Sequence, residues 1–308
     1  MSLRQLVVLG TASQVPTRYR NHNGYLLLWD GRGLLFDPGE GTQRQMVLAG
    51  VRATQITRIL VTHFHGDHCL GLAGIVQRIS LDEVPHTVDV HYPASGQVYF
   101  ERLRHASIFQ DKSNICPRPT TDEGVIHDDG ELAVHARALV HSADTFGYRI
   151  EEPDTWRLDG RRVAAAGLRG PAIGELKRRG EVVVDGRTVR VEDVGVRLAG
   201  QKVAFIMDTR LCDAAFELAE GVDLLICEST FLSSEEREAH AYGHLTAAQA
   251  GRIAAESGAR RLVLTHFSQR YRTDAPFVEE AGALHDDVVA AGDLMRIDVP
   301  SRSGTGVV

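Results

Sequence analysis

The residues best suited to chemistry stand in one short run, HFHGDH, at positions 63–68. Imidazole and carboxylate groups are common protein ligands of zinc. Because side chains alternate along a strand, His63 and His65 are predicted to point to one side at the end of the apolar stretch that precedes them. Asp67 and His68 follow on a glycine turn and are expected to face a second point nearby. The run therefore predicts ligands for two adjacent metal ions.

Three further residues are predicted to complete this centre, because each follows an apolar strand: His141, Asp208 and His266. Strand ends on one edge of a sheet converge in space, so these side chains are expected to meet the HFHGDH run. Asp208 can direct one carboxylate oxygen to each metal ion and bridge the two. A lone histidine is more often structural than a ligand, but three histidines and an aspartate within six residues have no packing rationale.

Apolar patterning places these residues in an α/β chain. Strands are predicted over residues 3–10, 24–30, 33–39, 58–63, 131–141, 146–152, 202–209, 223–230 and 261–267, and helices over residues 69–81, 245–258 and 276–292. No internal repeat at solenoid spacing is present.

The composition is that of an ordinary globular protein, with 308 residues of which 43% are hydrophobic and 24% charged. This length suits one large domain or two ordinary ones. The four cysteines form no CxxC pair, which favours a reducing, cytosolic compartment and argues against a cysteine-based zinc site. The N-terminus lacks the features of a signal peptide. No apolar run approaches the roughly 18 residues of a membrane span.

The net charge of −7 argues by itself against a nucleic-acid partner, but one segment has the opposite balance. Residues 153–200 are rich in Gly and Arg, and between Arg157 and Gly180 seven basic residues face two acidic ones, a net charge of +5. Such a stretch is often a solvated loop. It also looks like an insertion that projects from the core, and its Lys and Arg residues could hold phosphates and give salt-dependent affinity.

The HFHGDH run resembles the HxHxDH signature of the metallo-β-lactamase superfamily, and residues 1–150 and 200–300 cover this resemblance. The superfamily fold is an αβ/βα four-layer sandwich. The resemblance thus implies an α/β chain with a single metallo-β-lactamase domain over residues 1–308 and a projecting, flexible basic arm inserted at 153–200. The signature does not choose among thioesterases, lactonases, phosphodiesterases and nucleases.

Other segments are similar to the ribonuclease Z family, the endonucleases that mature tRNA 3′ ends. LFDPGEGTQRQM (35–46) resembles its LFDCGEGTQ segment, and PTRYRN (16–21) resembles its PxKxRN loop, which lies near the RNA 3′ end. The segments THFHGDHCLGL, HSADTFGYRIEE, LLICESTF, GHLTAAQAG and LTHFSQRY also match, as does a Gly-Pro motif in the arm. Arg18 replaces the usual Lys and Cys227 the usual His, and neither departure affects a metal ligand.

The resemblance implies a role for each matching residue. One zinc ion would be held by His63, His65 and His141, and the other by Asp67, His68 and His266, with Asp208 bridging. Manganese or another divalent ion could also occupy such a site. Asp67 would also accept a proton, His244 would act beside the scissile phosphate, and Glu228 would orient His244 or a ligand. The RNA would be held by Arg18, Arg20, Gly170, Pro171, Lys177, Arg178 and Arg179.

The implied activity is zinc-dependent removal of the 3′ trailer from precursor tRNA, in which a metal-activated hydroxide attacks the scissile phosphate. It would leave a 3′-hydroxyl on the tRNA and a 5′-phosphate on the trailer. A cytoplasmic homodimer with no protein partner and no membrane association is expected. Two alternatives stay open. A small-molecule phosphodiesterase or thioester hydrolase has no use for a basic arm, and a non-catalytic RNA-binding subunit would usually lack some of the ligands.

Overall fold

The protein is described by a computed structural model that covers residues 3–302. Its strands in chain order are β1 (Arg4–Gly10), β2 (Gly24–Trp29), β3 (Arg32–Phe36), β4 (Ile56–Leu60), β5 (Val88–Pro93), β6 (Ile115–Thr120), β7 (Gly124–Asp128), β8 (Ala133–Leu139), β9 (Thr145–Glu151), β10 (Thr155–Leu158), β11 (Glu181–Val184), β12 (Arg187–Arg190), β13 (Gly195–Leu198), β14 (Lys202–Ile206), β15 (Leu224–Glu228), β16 (Arg261–Thr265), β17 (Val288–Ala290) and β18 (Arg296–Asp298).

The α-helices are short and lie between these strands. They are α1 (Thr42–Leu48), α2 (Gly66–Cys69), α3 (Leu72–Leu81), α4 (Gln97–Arg104), α5 (Gly160–Ala165), α6 (Pro171–Arg179), α7 (Val191–Val194), α8 (Asp213–Ala219), α9 (Glu236–Tyr242), α10 (Ala247–Glu256) and α11 (Ala275–Gly282). Within residues 3–302, no helix is long and apolar enough to cross a membrane.

The described chain forms two compact units. The first contains residues 3–127, 134–150 and 202–300, and the second contains residues 128–133, 151–201 and 301–302. The first unit is built on two seven-stranded sheets, ordered β18-β1-β2-β3-β4-β5-β6 and β17-β16-β15-β14-β9-β8-β7.

Each sheet has helices on one face and the other sheet on the opposite face. Apolar residues of α1, α3 and α4 form one core with the first sheet, and those of α8, α10 and α11 form another with the second. Between the sheets, the rings of Phe36 and Phe205 stack with centroids 4.5 Å apart. Strands β4, β14, β15 and β16 are almost entirely buried because both their faces are covered. The expected αβ/βα sandwich is confirmed.

The last predicted helix is wrong over its second half. Helix α11 ends at Gly282, and Val288–Ala290 forms strand β17 instead. This strand pairs in parallel with β16, and the Leu262 amide donates to the Asp287 carbonyl oxygen. The backbone of an open sheet edge thus finds hydrogen bonds that the helical spacing of the sequence does not reveal.

The second unit contains the basic segment and has a core of its own. Strand β10 pairs with β13, and β11 pairs with β12, both antiparallel. Six buried apolar side chains pack together: Val163, Leu168, Leu176, Val182, Val191 and Val194. The carboxylate of Asp159 caps α5 by accepting from the amides of Arg161 and Arg162. A merely solvated loop is therefore not the correct description of residues 153–200.

Candidate metal centre

The predicted ligands meet at the carboxyl ends of the parallel strands. Asp208 follows β14, Glu228 ends β15 and His266 follows β16, and these three strands are neighbours in register. His63 follows β4 in the other sheet. Because parallel strands end at a common edge, residues far apart in the sequence are brought together there.

The prediction that the first part of the HFHGDH run is strand is wrong. Strand β4 ends at Leu60, and α2 begins at Gly66, so His63 and His65 lie in the connecting loop. The Thr62 amide leaves the sheet pattern because it donates to Oδ1 of Asp37 over 2.7 Å. The two histidines still converge, but through this loop rather than through strand alternation.

The first ligand cluster contains His63, His65, His141 and one oxygen of Asp208. Nδ1 of His65 lies 2.9 Å from Nε2 of His63 and 3.2 Å from Nε2 of His141. Oδ2 of Asp208 lies 3.6 Å from Nε2 of both His63 and His141.

The second cluster contains Asp67, His68, His266 and the other oxygen of Asp208. Oδ2 of Asp67 lies 3.4 Å from Nε2 of His68 and of His266. Oδ1 of Asp208 lies 3.3 Å from Nε2 of His68 and 3.2 Å from Nε2 of His266. The two oxygens of Asp208 therefore face different clusters, as expected for a bridging carboxylate.

These distances suit divalent metal ions. Donor atoms about 2.0–2.1 Å from a tetrahedral zinc ion lie roughly 3.4 Å apart, which is close to the separations in both clusters. Oδ1 of Asp208 is buried and has no hydrogen-bond partner among the described residues. A buried carboxylate oxygen without a partner is costly unless a cation satisfies it.

The ionisation states of Asp208 and His63 also suit metal binding. Burial raises the pKa of Asp208, but the imidazoles of His266 and His68 lower it well below its ordinary value. Burial and the neighbouring His68 hold the pKa of His63 well below its ordinary value. Ionised carboxylates and neutral imidazoles are the forms that bind metal. Burial lowers the pKa of His68, but the carboxylates of Asp208, Asp67 and Asp37 outweigh burial and raise this pKa well above its ordinary value, so a metal ion would have to displace a proton from His68.

A second layer of hydrogen bonds fixes the ligand rings. Nδ1 of His68 donates to Oδ2 of Asp37, and Nδ1 of His141 donates to the Gly243 carbonyl oxygen. Nδ1 of His266 lies 2.7 Å from Oγ1 of Thr230, whose hydroxyl donates to Glu228. Such partners orient the ring and fix its tautomer, so that Nε2 faces the metal. Sequence reasoning missed Asp37 and Thr230, although each lies just after or at the end of a strand that leads to the centre.

His244 is held beside the ligands by Glu228. Its Nδ1 lies 3.0 Å from Oε1 of the fully buried Glu228 and 4.0 Å from Oδ2 of Asp208. Burial lowers the pKa of His244, but the carboxylates of Glu228 and Asp208 outweigh this effect and raise it to about 9. His244 also groups with Asp208 and His266 as a third possible set of metal ligands. Its bond to Glu228 leaves Nε2 as the ring nitrogen available to a substrate or an ion.

The centre opens into a cavity of about 640 Å³. The ligands His65, Asp67, His141 and Asp208 line it together with His244. Further lining residues come from the loops that carry PTRYRN and SQRY and from the segment around Phe231 and Tyr242: Ser13, Gln14, Val15, His22, Thr230, Phe231, Tyr242, Ser268, Gln269 and Arg270. A chain-like substrate could reach the ligands from this side.

The two arginines of PTRYRN differ in their surroundings. Arg18 is exposed. Arg20 forms an ion pair with Asp274, donates to the Tyr271 carbonyl oxygen and lies over the ring of Phe267. The guanidinium of Arg20 therefore already has protein partners, which connect its loop to the segment that contains Tyr271 and Asp274.

The expected arm contacts lie on one helix of the second unit. Gly170 precedes Pro171 at the start of α6, and Lys177, Arg178 and Arg179 are exposed in its last turn. Arg179 also pairs with Glu175 one turn earlier. Phe64 packs against Tyr92 and Tyr99, while Tyr19 is 82% exposed.

Known proteins share both the sequence and the fold of this chain. The pattern of the metallo-beta-lactamase superfamily matches residues 17–154, and that of the beta-lactamase superfamily domain matches residues 172–267. The chain is 54% identical to ribonuclease Z of Streptomyces avermitilis and 57% identical to ribonuclease Z of Nocardia farcinica, over 98% of this chain and 100% of each relative. The crystal structure of the short form of human tRNase Z has a TM-score of 0.69 at 25% identity, covering 96% of this chain and 100% of the human one. The chain therefore belongs to the ribonuclease Z family of metallo-β-lactamase-fold endoribonucleases.

Proposed function

We propose that the chain removes the 3′ trailer from precursor tRNA, leaving a 3′-hydroxyl on the tRNA and a 5′-phosphate on the trailer. The observation that carries this proposal is the pair of ligand clusters that share Asp208, in a chain that matches ribonuclease Z relatives over 98% of its length. The human structural relative is named for tRNA, which supports tRNA as the substrate class.

Two zinc ions are proposed as the cofactor. His63, His65 and His141 would hold one ion, Asp67, His68 and His266 the other, and Asp208 both. Nitrogen and oxygen ligands suit zinc, although manganese accepts a similar set. When bound, the ions would supply Lewis acidity and an activated water at neutral pH.

The chain's own residues would position and move protons. The carboxylate of Asp67 lines the cavity and is proposed to accept a proton from the attacking water. His244 would direct Nε2 to the leaving 3′-oxygen and donate to it, because Nδ1 is engaged by Glu228. Glu228 would act through His244 as a positioning residue.

The proposed RNA contacts lie on two parts of the chain. Arg18 would contact the RNA end directly, and Arg20 would hold the loop that carries Arg18. The domain proposal is a single metallo-β-lactamase domain over 1–308 with an inserted arm at 153–200, whose Gly170-Pro171 turn begins the helix that carries Lys177, Arg178 and Arg179. Recognition of A-form RNA there would depend on shape and phosphates rather than on base identity.

A cytoplasmic homodimer is proposed as the working form. Exposed apolar side chains on the neighbouring helices α1 and α3, among them Val47, Leu48 and Leu81, offer a surface for a second copy. All four cysteines are free thiols, which suits a reducing compartment. Light scattering of purified protein should give twice the mass of one chain, and a monomer at micromolar concentration would rule the dimer out.

One experiment tests the activity. Purified protein is analysed for metal and incubated with a precursor tRNA carrying a 3′ trailer, and with a chromogenic phosphodiester. We expect about two zinc ions per chain and one cut that leaves a tRNA 3′-hydroxyl. Hydrolysis of the small ester by metal-loaded protein that leaves the precursor intact would favour a small-molecule phosphodiesterase instead.

A further inference from the structure

Three side chains form a stacked wall on the cavity beside His244. The guanidinium carbon of Arg270 lies 4.8 Å from the ring centroid of Phe231. The ring of Tyr242 is nearly parallel to that of Phe231, with an interplanar angle of 12° and centroids 6.4 Å apart. All three residues line the cavity that contains the metal ligands.

Tyr242 differs from its neighbour in exposure. Phe231 is 4% exposed, whereas Tyr242 is 62% exposed. The buried ring thus supports a largely solvent-facing ring. A largely exposed aromatic ring next to a reaction centre offers a flat apolar face on which a planar ligand group can stack.

The backbone ties Tyr242 to the metal centre. Helix α9 ends at Tyr242 because Gly243 adopts a left-handed conformation with φ of 77°. The Gly243 carbonyl oxygen accepts from Nδ1 of the ligand His141, and a Cβ on Gly243 would lie 2.8 Å from that same nitrogen. His244 follows directly. The backbone that carries the Tyr242 ring is therefore held next to both the ligand His141 and the proposed proton donor His244.

We propose that Tyr242 is a stacking platform for a nucleobase adjacent to the scissile phosphate. Every base has a flat π-face, so an aromatic platform binds nucleotides without regard to sequence. This suits an enzyme that must accept many RNA substrates at one phosphate. The proposal rests on the proposed function, since it requires a nucleic-acid substrate.

The ring, and not the hydroxyl, carries the interaction. Tyr242→Phe should keep KM for a trailer-containing precursor tRNA close to wild type, whereas Tyr242→Leu should raise KM roughly 5- to 100-fold, the range of stacking contributions removed by truncation. The metal content of Tyr242→Leu should equal that of wild type, because the side chains that hold the ions stay in place. Leu284→Ala, which removes another exposed apolar side chain, is the matched control with no expected effect.

Substrates with an abasic nucleotide on one or the other side of the cleavage site identify the stacked base. Removing the stacked base should weaken binding of the substrate to wild-type protein about as much as Tyr242→Leu weakens binding of the intact substrate. The same abasic substrate should bind Tyr242→Leu no more weakly than the intact substrate does. Loss of bound metal or a lower midpoint of urea unfolding in Tyr242→Leu would show a structural role and overturn the proposal. An unchanged KM for Tyr242→Leu would also overturn it, whereas failure of the wild-type protein to cut any precursor would refute the proposed function itself.

Discussion

Nδ1 of His68 donates a hydrogen bond to Oδ2 of Asp37 over 2.8 Å, and both side chains are fully buried. The same carboxylate accepts from the hydroxyl and the amide of Thr62. Oγ1 of Thr62 in turn lies 3.0 Å from Nδ1 of His63. A single buried carboxylate thus orients one ligand of each cluster, directly or through Thr62.

Removing this carboxylate should weaken metal binding without removing a ligand. For Asp37→Ala we expect about a 10- to 100-fold loss of affinity for the ion at His68, as is typical when an outer-shell partner is lost. Chelator titration followed by metal analysis measures this loss. Asp30→Ala, at an exposed ion pair with Arg4, is the control. Unchanged retention of both ions by Asp37→Ala would contradict the expected role.

His244 and Glu228 should behave as a unit. His244→Ala is expected to lower kcat for precursor tRNA about 10²- to 10⁴-fold, the usual contribution of a general acid, with RNA binding little changed. Glu228→Gln should have a smaller effect, and the double variant should be no worse than His244→Ala alone because the two changes act on one group. Wild-type turnover by His244→Ala with normal RNA binding would show that His244 is not the proton donor.

Arg20 should act through its loop rather than through the substrate. Its side chain is only 12% exposed and is paired with Asp274. Arg20→Ala and Asp274→Ala should therefore raise KM for precursor tRNA to a similar extent, and their combination should add little. Small-ester hydrolysis serves as the control for an intact metal centre. Normal kinetics of Asp274→Ala beside a strong defect of Arg20→Ala would instead indicate direct RNA contact by Arg20.

The basic turn of α6 should contribute salt-dependent affinity. Replacing Lys177, Arg178 and Arg179 by Ala is expected to reduce the slope of log K against log salt by about 2–3, because roughly one counterion is released per phosphate contact. These residues are exposed, so the variant keeps the core that deletion of 157–180 would break by removing Leu176. Arg252→Ala, at an exposed ion pair, is the control. An unchanged salt slope for the triple variant would exclude this helix as a phosphate contact.

His91 should make stability depend on pH. Burial and the Arg58 guanidinium lower its pKa to about 3, and Nη1 of Arg58 donates to Nε2 over 2.7 Å. In the unfolded chain His91 takes up a proton near pH 6.5, whereas in the folded chain it takes up this proton only near pH 3. The contribution of His91 to the free energy of unfolding is therefore fully present above pH 6.5. It decreases as the pH falls below 6.5, by up to ~1.4 kcal/mol per pH unit.

The variant His91→Gln isolates this effect. Gln can still accept from Arg58 but cannot take up the proton, so its stability should fall less steeply between pH 6.5 and pH 4. Urea unfolding of chelator-treated protein measures the slope of the free energy of unfolding against pH without a contribution from metal release. His105→Gln, at an exposed histidine, is the control. Parallel pH profiles for wild type and His91→Gln would contradict a buried neutral His91.

The amino-acid sequence by itself determined which residues meet at the candidate metal centre and roughly where strands end. The HFHGDH run is local, and apolar stretches before His141, Asp208 and His266 are visible without coordinates. For Asp208 and His266 these signals suffice because a buried parallel strand must be apolar and its carboxyl end is where ligands collect. His141 instead follows β8, whose residues are alternately buried and partly exposed. The resemblance of the HFHGDH run to the metallo-β-lactamase signature implied a sandwich fold, which the two packed sheets confirm.

The family resemblance implied how the ligands are divided, but only the tertiary structure decided how they are brought together and held. Nε2 of His266 and Oδ2 of Asp67 meet across 199 residues of chain, and no local pattern encodes such a distance. Asp37, Asp208 and His266 all have positive φ, at 42°, 34° and 62°. A positive φ in a residue other than glycine is uncommon and costs free energy, so it persists only where surrounding contacts impose it. Residues 288–290, predicted as helix, form strand β17 because long-range hydrogen bonds to β16 outweigh the local helical propensity.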